Sequence, residues 1–338
     1  MTSSWPLADP LEAHGVLPAD DDEFGRLFET HRRDIVVLCY RFLGSVADAE
    51  DAAQETALKA WRARGSFRGE AGVRTWLHRI ATRVCLDASA RRGRRETPPR
   101  LSPAADPSVQ PAPPTAEILW LEPLPDWYLA DSALDPQARF SLRESISLAF
   151  TCTLQALQPR QRAVLLLRDV LAWPASEVAD VLGMTRSAVN SALNRARTTV
   201  QADFQNEHPD ASVVELVDAA DRHLLDAYMR AWETDDVDGL VKLLREEVRL
   251  AMPPSPAWYA GRSAVLELVR RWVMPMGPFR LRLTGANMQP ALLLSVLGTD
   301  GSEQPIGLHV LTIDRGRVAV IDAFMDPRIA ARFAAEAR

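Results

Sequence analysis

Short polar side chains and arginines follow one face of a predicted helix within ASEVADVLGMTRSAVNSALNRAR, residues 175–197. The face has no acidic group, and its members are Arg186, Ser187, Asn190, Ser191, Asn194, Arg195 and Arg197. Amide and hydroxyl groups can hydrogen-bond base edges, and guanidinium groups can reach bases or phosphates. The face therefore has the chemistry to read DNA. The alternative is the solvated face of an ordinary amphipathic helix pair.

Two helices joined by a tight turn must position that face. Gly183 can end the first helix in the left-handed conformation, and Thr185 can cap the second by accepting from a free backbone N–H. Apolar residues then recur at helical spacing and predict one buried stripe, formed by Val189, Ala192, Leu193, Ala196 and Val200. A small residue at Ala179, the turn glycine and an apolar anchor at Val189 have the spacing of a helix-turn-helix.

The charge of the chain is unevenly distributed. Its formal net charge is −6, the wrong sign for a simple nucleic-acid binder. Residues 1–23 and 101–135 each hold six acidic side chains and no Lys or Arg, whereas residues 24–100 hold 16 basic and nine acidic ones. Residues 136–204 also have a basic excess. Because salt screens charge beyond about 8 Å, DNA would meet two basic modules separated by an acidic tether.

Composition excludes several protein classes. The 338 residues have room for two or three domains. No apolar run reaches the length of a membrane span, and the first residues lack the pattern of a signal peptide, so we expect a cytoplasmic protein without membrane contact. Cys39, Cys85 and Cys152 lie far apart without a metal-ligand spacing. We therefore expect no metal, no cofactor and no disulfide.

Helical periodicity dominates the first two thirds of the chain. Helices are predicted at residues 24–43, 45–61 and 73–92. Residues 97–114 are rich in Pro, Ala and Ser and are expected to be disordered or extended. Helix resumes from Pro136 to Phe204. After two further helices (213–232 and 236–245) come short β-like runs, among them LLLSVLG, IGLHVLTID and RVAVIDAF, which predict a separate α+β module.

The helical modules resemble a bacterial sigma factor of the extracytoplasmic-function (ECF) class. SVADAEDAAQETALKAW is similar to the second helix of the sigma promoter-opening domain, and VRTWLHRIATRVCLDASARRGRR to its DNA-melting helix. LQALQPRQRAVLLLRDVLAWPASEVADVLGMTRSAVNSALNRAR resembles the domain that reads the upstream promoter element. The two matches occur in the right order and together cover residues 24–204.

The remaining segments resemble an ECF subgroup with a fused SnoaL-like domain, a cone of curved antiparallel sheet around helices. The resemblance rests on WLEPLPDWYL and on VDAADRHLLDAYMRAWETDDVDGLVKLL. It implies a multidomain fold of two all-α sigma domains and a C-terminal α+β cone. The expected order is an acidic tail (1–23), sigma domain 2 (24–93), a Pro-rich acidic linker (94–135), sigma domain 4 (136–204) and the SnoaL-like domain (212–338).

The resemblance also implies partners and site residues. Sigma factors bind core RNA polymerase and promoter DNA. The resemblance implies that an acidic helix face docks on the clamp of the polymerase. This face consists of Asp48, Asp51, Gln54 and Glu55. Behind it, the side chains of Ala52, Ala57, Ala60 and Trp61 are expected to pack. Without the resemblance, a solvated acidic face would be the preferred interpretation.

Contacts with the −10 element are implied for the third helix and the loop before it. The residues are Phe67, Arg74, Trp76, Arg79 and Arg83. A flipped base there needs cationic backbone contacts and an unstacking surface. Periodicity alone would place Trp76 in the core. Arg83 departs from many relatives, which have asparagine at this position. The helix-turn-helix face would contact the −35 element.

The linker has two interpretations. In sigma factors the corresponding connector lies in the path of nascent RNA, where the acidic groups of Glu122, Asp126 and Asp131 would mimic phosphate charge. Alternatively, it is a solubilising spacer anchored by Trp120 and Trp127.

The C-terminal module contains polar candidates for a pocket: Trp258, Tyr259, His309 and Asp322. His309 alternates with Leu311 and Ile313, which favours an inward orientation. An isolated strand histidine is more often structural than catalytic. We therefore expect no enzyme, but a sensor of an unidentified small ligand or a packing surface.

Three functions fit parts of the sequence. A sigma factor modulated in cis by its C-terminal domain explains every module. A ligand-responsive helix-turn-helix regulator leaves residues 24–92 unexplained. A SnoaL-like cyclase or isomerase fused to a DNA-binding region would need a catalytic set, which the sequence does not reveal.

Overall fold

A computed structural model describes residues 17–18, 20–69, 71–129, 145–207 and 219–334. Contacts divide the chain into two compact units. The first unit combines the chain up to Gly93 with Leu157–Thr199, and the second combines Arg94–Ala156 with the chain from Val200. Most of the predicted acidic tail, Asp131 and the predicted helix start at Pro136 lie outside the described residues. None of the described helices is long and apolar enough to cross a membrane.

The first unit begins with the three predicted helices: α1 (Asp21–Leu43), α2 (Val46–Ala63) and α3 (Val73–Arg92). Local signals determine where they start and end. Asp20 caps α1 by accepting from the N–H of Glu23, and Gly44 ends it with a φ of 67°. Ser45 then caps α2 through the N–H of Asp48. Apolar side chains of α1 and α3, among them Ile35, Leu38, Phe42, Leu77 and Val84, form a shared core.

The first unit is completed by α6 (Pro159–Leu165), α7 (Ala175–Leu182) and the start of α8 (Arg186–Glu207). The predicted helix-turn-helix is confirmed. Gly183 ends α7 with a φ of 62°, and Thr185 accepts from the N–H of Ala188 at 3.1 Å. The predicted stripe of α8 is buried from Val189 to Ala196, and Val200 is half-buried. Its polar face is thereby turned away from the core.

The second unit contains a six-stranded sheet with the order β2-β1-β6-β5-β4-β3. Its strands are β1 (Leu244–Ala251), β2 (Trp258–Ala260), β3 (Phe279–Ala286), β4 (Gln289–Leu297), β5 (Glu303–Asp314) and β6 (Arg317–Phe324). Neighbouring strands pair antiparallel except for β1 and β6, which pair in parallel. The three predicted β-like runs are confirmed as β4, β5 and β6.

Both faces of this sheet are covered. One face packs against α9 (Ala219–Glu233), α10 (Val237–Leu243) and α11 (Arg262–Leu268), with Tyr228 and Trp232 in the cluster. The other face packs against Leu121 of the linker, α5 (Leu148–Ala156) and α12 (Pro327–Ala334). Helix α5 was predicted as part of the domain with the helix-turn-helix. Its apolar side chains lie on the sheet, with Leu148 and Cys152 in the same cluster as Leu293.

The Pro-rich linker is not disordered. Apart from the short helix α4 (Pro98–Leu101) it is mostly extended, and it follows the surface of the second unit. The N–H of Ala105 donates to the carbonyl of Trp258 at 2.8 Å, and the indole N–H of Trp258 donates to the carbonyl of Ser102 at 2.7 Å. The N–H of Thr115 donates to the carbonyl of Pro254 at 3.0 Å. The expectation of an extended chain is thus correct, because backbone hydrogen bonds replace an apolar core of its own.

The β3–β4 turn holds the linker and the segment before α5 together. Asn287 has a φ of 56° and Met288 of 59°, the left-handed pair of a tight hairpin. The buried Asn287 side chain accepts from the N–H of Leu124 at 2.7 Å and donates to the carbonyl of Ile146 at 2.6 Å. The N–H of Met288 donates to Asp126 at 2.8 Å. One turn therefore holds two distant segments.

Replacing Asn287 by alanine tests this arrangement. Asn287→Ala leaves the N–H of Leu124 without its side-chain acceptor, removes one of the two side-chain hydrogen bonds to the carbonyl of Ile146 and places alanine in a left-handed conformation. We expect the unfolding free energy to fall by about 2–4 kcal/mol, measured by urea unfolding of the full chain. Gln304, an exposed amide on β5, is the control, since Gln304→Ala breaks no hydrogen bond of a described residue. Equal stability of the two variants would contradict the role of Asn287.

Candidate nucleic-acid interface

The polar face of α8 is open to solvent. All seven side chains predicted to contact DNA are exposed: Arg186, Ser187, Asn190, Ser191, Asn194, Arg195 and Arg197. Arg186 and Arg195 form no ion pair with another described residue, so their guanidinium groups are available to a phosphate. The amides of Asn190 and Asn194 stand one turn apart on the same face, at the spacing that lets neighbouring base edges be contacted.

Arg197 differs from the other two arginines of this face. Its Nε and Nη2 donate to the two carboxylate oxygens of Asp169 at 2.8 and 2.7 Å. This bidentate hydrogen bonding, with the carboxylate charge, raises the pKa of Arg197. Asp169 lies in the π-helical turn Leu166–Val170 after α6. The pair therefore braces α8 against the segment before it and partly neutralises Arg197.

The three predicted −10 arginines of α3 have three different environments. Arg74 donates to both carboxylate oxygens of Asp34 on α1, at 2.5 and 3.0 Å. Burial alone would raise the pKa of Asp34, but hydrogen bonds from His78 and Arg74 hold it well below its usual range. Arg79 pairs with Glu177 of α7 at 3.2 Å. Arg83 is exposed and has no ion pair with a described residue. Arg74 is thus a structural link, and Arg83 is the accessible cation.

The predicted loop residue Phe67 lies against Trp76. Their ring centroids are 5.4 Å apart with an interplanar angle of 62°, an edge-to-face contact. Both side chains are half-buried. Trp76 is therefore not the core residue that periodicity alone would predict. The two rings form an aromatic surface at the start of α3, on which an unstacked base can rest.

The acidic face of α2 includes more than the predicted residues. Asp51, Gln54 and Glu55 are exposed, whereas Asp48 is half-buried and paired with Arg92. Trp61 was expected to pack behind this face, but it is 38% exposed, and Leu58 is 52% exposed. Both continue the face at helical spacing, since Leu58 lies four residues after Gln54 and Trp61 three residues after Leu58. The helical spacing alone would have assigned Leu58 and Trp61 to this face. They were missed because apolar side chains are usually assigned to a core.

The four pocket candidates of the C-terminal module do not form one pocket. Tyr259 and His309 lie in the cluster covered by α9 to α11, while Trp258 and Asp322 line a cavity of about 50 Å³ on the other face of the sheet. The reason is strand alternation. Trp258 and Tyr259 are consecutive on β2, and His309 pairs with Ala323, the residue after Asp322. The prediction of a single pocket is wrong.

His309 is buried in an aromatic environment. Its Nδ1 lies 3.1 Å from the hydroxyl of Tyr228, and the ring of Trp232 stands 5.0 Å away in a T-shaped contact. Burial lowers the pKa of His309 to about 4, so the ring is neutral near pH 7. The hydroxyl of Tyr259 and the indole N–H of Trp232 are buried without a hydrogen-bond partner among the described residues. The inward orientation of His309 is as predicted.

Two of the three predicted acidic groups of the linker have partners. Asp126 accepts from the N–H of Met288, as described above. Glu122 pairs with Arg332 of α12 at 3.3 Å and with Arg95 at 3.9 Å. Asp131 lies outside the described residues. A nascent-RNA path for this segment stays a prediction.

Comparisons with known proteins match the two helical modules. The Sigma-70 region 2 family matches residues 27–95, and the Sigma-70 region 4 family matches residues 147–200. The ECF RNA polymerase sigma factor SigG of Mycobacterium tuberculosis H37Rv is 42% identical over 95% of this chain and 87% of its own length. The chain belongs to the ECF sigma factors.

A second sigma factor and its solved structure support the whole architecture. SigJ of the same organism is 30% identical over 80% of this sigma factor and 78% of its own length. The crystal structure of SigJ superposes with a TM-score of 0.57 at 23% identity, covering 91% of this chain and 98% of SigJ. At that identity the superposition shows a shared fold, in which helical sigma domains precede a C-terminal sheet domain.

If α2 docks on core RNA polymerase, as the sequence predicts, reversing the charge of its exposed face should weaken that binding. Substituting Asp51→Lys together with Glu55→Lys should weaken binding to core RNA polymerase roughly tenfold, because like charges would face the partner. Circular dichroism should stay native, since both side chains are exposed. Glu246→Lys with Glu247→Lys on β1 is the control with the same change of charge. Unchanged polymerase affinity of the α2 variant would refute the role of α2.

The amides of α8 predict a change of sequence preference. Asn190→Ala or Asn194→Ala should each cost about 1–3 kcal/mol on the preferred promoter and relax discrimination at one base pair. Arg195→Ala should instead weaken binding to all sequences and reduce the salt dependence. The measurement is polymerase-holoenzyme binding to promoter fragments with single base-pair changes, with exposed Thr199→Ala as the control. Uniform losses for both asparagine variants would contradict direct readout.

Proposed function

We propose that this sigma factor binds core RNA polymerase through α2, contacts the −10 element through α3 and the −35 element through α8, and is modulated in cis by its C-terminal domain. The observation that carries the proposal of modulation in cis is the set of hydrogen bonds between the β3–β4 turn and the linker. This turn engages the segment that joins the two promoter-contacting modules.

The surfaces of the first unit support the division of roles. The α2 face is acidic and has exposed apolar side chains at Leu58 and Trp61, and protein-docking surfaces combine apolar and polar groups in this way. The α8 face has amides and free arginines without an acidic group, as DNA readout requires. Core RNA polymerase and promoter DNA are the corresponding partners, and the cytoplasm is the compartment where both are found.

The linker contacts support modulation in cis. Asp126 and Glu122 are the acidic groups with which the linker would enter the nascent-RNA path, and here they are bound by Met288, Arg332 and Arg95. A carboxylate that is held by these partners is not free for the polymerase. The C-terminal domain and the polymerase would therefore compete for one segment. Because the domain is covalently attached, its effective concentration at the linker is high.

Close approach supports the specificity of this hold. A Cβ added to Gly285 would collide with the carboxylate of Asp126. The linker thus lies directly on the backbone of β3, where only glycine leaves space. Pro125 also forms a β-bridge with Ala286. Such close contacts support specific packing of the linker on the sheet, which a flexible spacer would not need.

The two alternative functions are less well supported. A ligand-responsive helix-turn-helix regulator gives no purpose to the region 2 match or to the acidic face of α2. A cyclase or isomerase would need acid–base groups that converge on one cavity. His309 and Tyr259 lie on one face of the sheet and Asp322 on the other, so the polar candidates do not converge. We therefore propose that the C-terminal domain acts by binding, with the linker as its first partner and a small ligand as a second candidate.

Run-off transcription tests modulation in cis. Asn287→Ala in the full chain should free the linker and raise the yield with core polymerase roughly two- to tenfold on one promoter, while the choice between promoters stays the same. Truncation after Glu207 should also alter the yield. It additionally uncovers Leu121, Leu148 and Cys152, so the point variant is the cleaner test.

Gln304→Ala is the control and should give the wild-type yield. Limited proteolysis of residues 94–129 reports linker release independently. If proteolysis shows a freed linker and the yield is still that of the wild type, modulation through the linker is refuted.

A further inference from the structure

Within the first unit, the N-terminal half of α3 is covered by the helix-turn-helix module. Arg79 donates from Nη2 to Glu177 Oε2 at 3.2 Å. Its guanidinium carbon lies 6.0 Å from the centre of the Trp173 ring, a cation–π distance. The same indole stacks on the ring of His78, with centroids 6.5 Å apart and an interplanar angle of 21°. An indole and a carboxylate thus lie together on the helix proposed to contact the −10 element.

The chain holds Trp173 in this position. The indole is 8% exposed, and its backbone N–H donates to the carbonyl of Leu167 at 2.8 Å. Arg168 donates to the carbonyl of Trp173. Ala172, the residue before it, has a φ of 56°, a left-handed conformation that is unfavourable for a non-glycine residue. A strained turn that presents a large aromatic ring indicates a specific contact and not incidental packing.

A second contact fixes the same two modules at a point away from Arg79. The buried Arg162 of α6 donates to the carbonyl of Phe42 near the end of α1 and to that of Leu157 at 3.3 Å. Burial lowers its pKa to about 10, so the guanidinium stays charged at neutral pH. The cost of burying this charge is offset by carbonyl partners that belong to both modules. The two modules are therefore held at two places, by Arg162 and by Arg79.

The groups at α3 match those of a nucleotide. A nucleic-acid strand offers an arginine a phosphate to pair with and a base to stack on. Glu177 supplies an anion, and Trp173 supplies a flat aromatic ring. We propose that Trp173 and Glu177 form an intramolecular cover of α3, which occupies the place of a DNA strand at Arg79 until the two modules separate. This inference rests on the proposed function of α3.

The ion pair of the cover contributes little to holding the two modules together. The side chains of Arg79 and Glu177 are each 36% exposed, so water and salt screen their attraction. Arg83, a turn further along α3, is exposed and uncovered. The free protein would therefore hold a DNA strand only weakly and through part of α3. Binding of the polymerase to α2, with the helix-turn-helix module placed at a distant promoter element, would expose Arg79.

Distance measurements test the contact without DNA or polymerase. Spin labels at Arg62→Cys on α2 and Thr199→Cys on α8 report the separation of the two modules in the full chain. The three native cysteines are buried free thiols, so the introduced ones label selectively. Glu177→Lys should lengthen the distance distribution, and Asp180→Lys, the same charge change on an exposed residue of α7, should not. The swapped pair Arg79→Glu with Glu177→Lys should restore the original distances.

Binding of single-stranded DNA tests the competition. The probe is a fluorescent oligothymidine of about 20 nucleotides, measured by anisotropy at low salt. Glu177→Lys should bind it roughly three- to tenfold more tightly than Asp180→Lys, whose net charge is the same. Adding Arg79→Ala to both variants should abolish the difference, because the exposed arginine is then missing.

The outcomes separate this inference from the proposed function. The proposed cover is refuted if Glu177→Lys leaves the spin-label distances unchanged. It is also refuted if the distances in the swapped pair are as long as those in the single variant. Longer distances with equal DNA affinity of Glu177→Lys and Asp180→Lys also overturn it, since the cover would then not compete with DNA. A wild-type protein that fails in run-off transcription with core polymerase contradicts the proposed function alone, and the distance result still decides the intramolecular contact.

Discussion

The amide side chain of Asn287 joins three parts of the chain that are far apart in sequence. It bonds to Leu124 of the linker and to Ile146 before α5, while its own backbone forms the β3–β4 turn. Amide groups without water must find partners inside the protein. Here each partner is a backbone group of a segment outside the sheet. This turn therefore helps to place both segments that cover one face of the sheet.

The arginines of the first unit have two kinds of environment. Arg74 and Arg162 are held by a carboxylate or by carbonyls and contribute to the packing of the helices. Arg83 and Arg195 are exposed and form no ion pair with a described residue, and such groups are available to an outside phosphate. Both kinds add equally to the formal charge of the sequence. A net charge of −6 is thus compatible with DNA binding, because the local set of free cations matters and not the total.

Elements with local signals were predictable. Gly44, Gly183 and Thr185 mark helix ends, and the polar face of α8 follows from a 3.6-residue period. The ion-pair partners of Arg74 and Arg79 were not predictable, because Asp34 and Glu177 lie 40 and 98 positions away in sequence. The place of the linker was also hidden, since its hydrogen bonds use backbone groups, which have no sequence signature. Trp61 shows a different limit: a tryptophan fits a core or a docking surface equally well, and periodicity alone does not separate the two.

The packing of α5 on the sheet has a consequence for synthesis of the protein on the ribosome. The helix emerges well before β4, β5 and α12, which cover Leu148 and Cys152. At about 5–20 residues per second this interval lasts on the order of ten seconds or more. During that time the apolar side of α5 has no sheet to lie on, and a chaperone or a protease can bind it. The apolar side of α5 is covered only after the last strands have been translated. Cellular quality control would therefore favour molecules that carry an intact C-terminal domain.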